Sequence, residues 1–100
     1  MLETDVLEAL ADAERLQILG WLRDPEAHFP RQQDGDLVGD GVCSSRIAEK
    51  LGVSQPTCAG YLKVLNRAGL VRSRKIKQCV FYQRDETRIA VVRNQLSGDW

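Results

Sequence analysis

The chain has 100 residues, 43% of them hydrophobic, and its 14 Lys/Arg balance 14 Asp/Glu. That is enough for one domain with a modest core, too apolar and too patterned for a disordered chain, and without the run of about 20 apolar residues that spans a membrane. The zero net charge hides a segregation: residues 43–84 hold nine Lys/Arg against one acid, Glu49, whereas residues 1–42 hold ten acids against three Arg. A basic segment on an acidic body is an electrostatic footprint for nucleic acid.

In chain order, the acidic start MLETDVLEAL lacks the basic flank and apolar stretch of a secretory leader, and Val6, Leu7 and Leu10 predict a short amphipathic helix. Asp12 is placed to cap a second helix whose Leu16, Ile18, Leu19, Trp21 and Leu22 are expected to bury a broad stripe, and which ends at Asp24-Pro25. Residues 25–42 have little periodicity and read as an acidic loop. Its Asp34–Asp40 segment does not place oxygen ligands at calcium-loop spacing, so a solvated loop is expected.

A third helix is predicted over Ser44–Leu51, with Ile47, Ala48 and Leu51 inward and Gly52 ending it. Ser54 can cap a fourth, with Pro56 in its first turn. This helix should bury Cys58, Leu62, Leu65 and part of Tyr61, leaving Gln55, Thr57, Ala59, Gly60, Lys63 and Arg67 on the opposite face. Two helices joined by a short Gly-containing turn fit a helix-turn-helix. After Gly69, Leu70–Arg74 and Cys79–Gln83 read as strands around a basic turn at Lys75–Gln78, and Asp85 caps a last helix bearing Ile89, Val91, Val92 and Leu96. The expectation is a mainly α chain with a small β-hairpin, a winged helix-turn-helix of order α-α-α-α-β-β-α, in one domain over residues 1–100. The apolar last helix predicts a second copy as partner.

The residues also resemble the ArsR/SmtB family of transcriptional repressors. LADAERLQILGWL (Leu10–Leu22) is similar to the family's second-helix pattern LADPTRLRILxLL. IAEKLGVSQPTCAGYLKVLNRAGLVRSRK is similar to its reading unit, LAxxLGxSQxTVSxHLxxLxxAGLV followed by a basic wing; the agreements include Ser54, Gln55, Thr57, Leu62, Leu65 and Ala68–Val71. The resemblance covers most of the chain outside the acidic loop. It implies a homodimer built from the first and last helices, with each fourth helix in a major groove of an inverted-repeat operator on double-stranded DNA. In that scheme Gln55 and Thr57 reach base edges, and the helix start capped by Ser54 faces phosphate. Lys63, Arg67, Arg72, Arg74, Lys75 and Lys77 contact the backbone. One departure stands in the reading helix: where members commonly have Ser followed two residues later by His, this chain has Ala59-Gly60-Tyr61. Ala59 and Gly60 bring no polar side-chain atom, so base readout should be thinner and rely more on DNA shape, with the Tyr61 hydroxyl either on DNA or over the core.

The same resemblance aligns Cys43 with the first Cys of the family's metal box LCVCDL, but the second falls on Ser45, and the last helix lacks the ligands of the other familiar zinc site. A soft metal wants three or four Cys/His ligands, so a thiophilic ion at Cys43 has no complete ligand set, and the inducing signal is left open between metal, thiol oxidation at Cys43, a small molecule or none. Three widely spaced Cys do not make a disulfide framework and point to a reducing cytoplasm. Cys58 is expected to be a core filler. Two other function classes compete: a winged-helix module that docks protein, which would lack a steep salt dependence, and a thiol enzyme, which would need a base that the lone His28 in the loop does not supply. No catalytic activity is expected.

Overall fold

The computed structural model describes residues 3–32 and 34–98. Helices α1 (Thr4–Leu10) and α2 (Ala13–Arg23) are followed by a one-turn helix α3 (Pro25–His28), strand β1 (Val42–Cys43), helices α4 (Ser44–Leu51) and α5 (Gln55–Arg67), strands β2 (Val71–Ile76) and β3 (Cys79–Arg84), and helix α6 (Glu86–Leu96). The expected winged order is present with two additions inside the segment expected to be plain loop: α3 and β1. The sheet is antiparallel in the order β1-β3-β2, so the hairpin strand β3 is central, with Val42 opposite Tyr82 and Cys43 opposite Phe81. Among the described residues, no helix is long and apolar enough to cross a membrane.

The helix ends follow local chemistry. Asp12 accepts from the amides of Glu14 (2.9 Å) and Arg15 (3.1 Å). The Arg15 amide is the main reason its carboxyl is held below the ordinary 3.8. Gly52 closes α4 at φ 75°, which a residue with a Cβ adopts only at a cost, and the Gly52 and Val53 amides both return to the Ala48 carbonyl. The core joins Val6 and Ala9 of α1, Ile18, Leu19 and Leu22 of α2, Ile47 and Ala48 of α4, and Cys58, Leu62 and Leu65 of α5. Leu16 departs from the expected stripe: it is 48% exposed, and it joins Leu7, Val91 and Leu96 as apolar side chains left on the surface. Helix periodicity marks apolar positions without saying which of them face a partner.

The loop is docked rather than freely solvated. Phe29 is buried, meets Trp21 edge to face at 6.2 Å, and lies under the Lys50 ammonium, which also covers Trp21 at 5.2 Å. Gln32 donates to the Gly41 carbonyl (2.7 Å) and accepts from the Cys43 amide (3.2 Å), and Gln83 of β3 donates to the Val38 carbonyl (2.6 Å). The Asp36 and Asp40 carboxylates accept the amides of Gly39 and Asp36. Among the described residues no acid, His or Cys cluster is arranged to hold a metal.

Candidate nucleic-acid interface

The helix-turn-helix is α4, the turn Gly52–Ser54, and α5. Ser54 Oγ accepts from the Thr57 amide (3.3 Å) and donates to Thr57 Oγ1 (2.9 Å), so the start of α5 is capped and the Thr57 hydroxyl hydrogen remains available to an outside acceptor. Burying Cys58, Leu62 and Leu65 turns Gln55, Thr57, Ala59, Gly60 and Lys63 outward together, with Tyr61 half-buried. The residues expected to read DNA are therefore exposed, spread around the solvent side of α5. A Cβ built on Gly60 meets nothing within 4 Å. Gly60→Ala should then raise stability by about 1 kcal/mol, read as a thermal midpoint about 4–8 °C higher; an unchanged or lower midpoint would show that the glycine is structurally required.

The wing stands beside that face, tied to it by the Asn66 amide donating to Ser73 Oγ at 3.3 Å. Compared with the expected strands, β2 starts one residue later and ends two later, at Ile76, and β3 ends one later, at Arg84, so the turn shrinks to Lys77-Gln78 with Lys77 at φ 55°. The missing turn glycine is thus replaced by a left-handed lysine, a conformation that costs about 1–2 kcal/mol.

The six cations expected on phosphates divide into two sets. Arg67 lies against Asp5 (3.6 Å) and Glu8 (3.3 Å), Arg74 against Asp40 (2.9 Å), and Lys77 against Asp34 (2.9 Å). Lys63, Arg72 and Lys75 are exposed and, among the described residues, have no carboxylate partner. Sequence reasoning missed these pairings; the alternation of acidic loop and basic wing was the available signal.

The cysteines correct the sequence reading. Cys43 and Cys79 are joined by a disulfide, their Cα atoms 6.1 Å apart, although the odd count and wide spacing argued against pairing. The physical reason is β1: it places Cys43 opposite Phe81, one diagonal step from Cys79. A bonded sulfur is no thiolate ligand, so in this form Cys43 is not available to a thiophilic ion. Cys58 is buried as expected, its thiol lies 3.9 Å from the Ser44 carbonyl, and burial pushes its pKa up. Burial, reinforced by Cys58, also raises Tyr82. His28 is exposed on α3.

Residues 40–72, spanning α4, the turn and α5, match the family model described as winged helix-turn-helix DNA-binding. The chain is 42% identical over 95 residues, 95% of each chain, to the HTH-type transcriptional regulator YbzH of Bacillus subtilis strain 168. An ArsR-like transcriptional regulator from Rhodococcus sp. RHA1 superposes with a TM-score of 0.66 at 26% identity, over 92% of this chain and 71% of that one. The homodimeric winged helix-turn-helix DNA-binding domain Mb0332 from Mycobacterium bovis superposes with a TM-score of 0.62 at 25% identity, over 93% and 74%. With the exposed side of α5, the wing and this degree of likeness in agreement, the chain belongs to the ArsR/SmtB family of winged helix-turn-helix DNA-binding transcriptional regulators.

Proposed function

We propose that this regulator is a homodimeric repressor that binds an inverted-repeat operator in the cytoplasm and is released by a signal. The observation that carries the proposal is the exposed first half of α5 standing beside a cationic wing. Gln55 and Thr57 are assigned to base edges: an amide pairs bidentately with adenine, and a hydroxyl serves either partner. Ala59 and Gly60 contribute close approach and shape rather than hydrogen bonds, and Tyr61 offers one hydroxyl at the edge of the face. The α5 amides beyond the Ser54 cap, with Lys63, Arg67, Arg72, Arg74, Lys75 and Lys77, are assigned to phosphates, which set register without reading sequence.

Leu7 on α1 and Val91 and Leu96 on α6 are exposed apolar side chains on the two helices that a second copy would cover, and the related Mb0332 domain is homodimeric. A two-fold pair would set two α5 helices about 34–36 Å apart, one turn of DNA. None of these roles requires catalysis.

The test is binding of the reduced chain to duplex DNA from upstream of its own gene, against random duplex, over a range of salt. A preference of about a thousandfold or more with a steep fall of log K with log salt is expected. Equal affinity for both duplexes would reduce the protein to a basic binder without readout, and absence of any salt-dependent binding would favour a protein-docking module.

A further inference from the structure

The pair of groups that DNA reading leaves unused is Cys43 and Cys79. Cys43 ends β1 and forms the N-cap of α4. Cys79 begins β3 directly opposite Ile76, next to the wing turn. β1 supports β3 only at Tyr82 and Phe81, so from Val80 to the tip the wing is a two-stranded ribbon. Such a ribbon is marginal alone, and the Cys43–Cys79 bond crosses from the body of the fold to that unsupported end. Both residues are half-buried, and Cys79 lines an open cleft of about 540 Å³ together with Asp34, Ser45, Gln55 and Lys77. The wing-tip bond therefore sits beside the first residue of the reading helix. The third cysteine, Cys58, is buried in the core.

We propose that Cys43 and Cys79 are a reversible thiol–disulfide pair that sets the reach of the wing, the disulfide form binding DNA more weakly than the dithiol. The proposal rests on the DNA-binding function above. In the dithiol form, Cys43 is the attacking group. It stands at the start of α4, where the amide dipoles favour a thiolate, and Ser45 Oγ is 3.1 Å from its sulfur. Its thiolate attacks a low-molecular-weight disulfide, forming a mixed disulfide and expelling one small thiolate. The Cys79 thiolate then attacks Cys43 Sγ and expels the second. Two protein thiols are oxidised, the small disulfide is reduced to two thiols, and the protons lost by the cysteines end on those thiols; excess dithiol reverses each step.

The direction of the effect follows from the neighbours. While the tether is closed, Lys77 stays at 2.9 Å from Asp34 and Arg74 at 2.9 Å from Asp40. The loop carboxylates thus compete with phosphate for two wing cations at high effective concentration. Opening the bond frees the ribbon to bend away from the loop toward a DNA backbone.

The experiment uses the full chain, reduced with dithiothreitol or treated with oxidised glutathione, with the bond mapped by non-reducing peptide analysis. Duplex affinity is read by anisotropy, and wing-tip mobility by hydrogen exchange over residues 75–78. Expected are a mapped Cys43–Cys79 bond, at least tenfold weaker binding in the oxidised chain, recovery on reduction, and slower wing-tip exchange when oxidised. Cys43→Ser and Cys79→Ala, each checked for an intact thermal transition, should bind like the reduced chain under both treatments. Failure to form this bond under excess oxidant, or formation with unchanged affinity, would overturn the proposal. Failure of the DNA-binding function itself would look different: the reduced chain would bind no duplex, while exchange would still separate the two redox forms.

Discussion

Changing Lys63, Arg72 and Lys75 together to alanine should make the slope of log K against log salt shallower by about 2.7 per protomer, or about 5.4 for the bound dimer, and weaken DNA binding at moderate salt by at least roughly a hundredfold. The expectation follows from the state of these cations before DNA arrives. They are exposed and have no carboxylate partner among the described residues, so each phosphate they meet releases a counterion. Arg67, Arg74 and Lys77 must instead exchange an existing partner for phosphate. Exposed pairs of that kind are worth about 0–1 kcal/mol, but they reduce the net charge gained on binding. The matching triple of Arg67, Arg74 and Lys77 should therefore flatten the slope less. Equal effects from the two triples would show that the paired carboxylates of α1 and the loop do not compete with DNA.

Gly41→Ala should lower the thermal midpoint by at least about 8 °C at equal protein concentration and hinder formation of the Cys43–Cys79 bond. Gly41 is buried at φ 106°, and a Cβ there would stand 2.5 Å from the Tyr82 carbonyl oxygen. That oxygen belongs to backbone, so it cannot swing aside as a side chain would. A strained conformation of this type costs about 1–3 kcal/mol before the clash is counted, and each kcal/mol moves the midpoint of a chain this size by roughly 4–8 °C. Relief requires β1 to move off β3, which separates Val42 from Tyr82 and carries Cys43 away from its partner. A melting curve with peptide mapping of the oxidised variant checks both parts. A normal midpoint with normal crosslinking would mean that the loop end repacks without using β1.

The helices were legible because their signals are local. Asp12, Ser54 and Asp85 each accept amides of the turn they begin, as their positions suggested. The burial of Cys58, Leu62 and Leu65 follows from spacing alone, and with it the outward face of α5 that defines the candidate site. What escaped depends on distant groups. Leu16 is apolar at a helical spacing but lies outside this chain's core. Gln32 and Gln83 fasten the loop by side-chain bonds that leave no periodic trace. The Cys43–Cys79 bond spans a sequence separation of 36 and depends on a two-residue strand too short to announce itself. The ion pairs of Arg74 and Lys77 are invisible for the same reason: a charge count shows that opposite signs exist, not which of them meet.

The docked loop also bears on how much the chain can change in length. Its first part is held by the Trp21–Phe29–Lys50 stack and its last residues by the pairing of Val42 with Tyr82. Between two fixed ends, doubling the length of a flexible connection costs only about 0.6 kcal/mol. Added length around residues 30–40 should therefore be absorbed with little harm to the domain where it leaves Gln32, Asp34, Asp36, Val38 and Asp40 in place, whereas deletions there remove the bonds that dock the loop. The Gly52–Ser54 turn has no such latitude, since one added residue there would rotate α5 against α4 and turn Cys58, Leu62 and Leu65 out of the core.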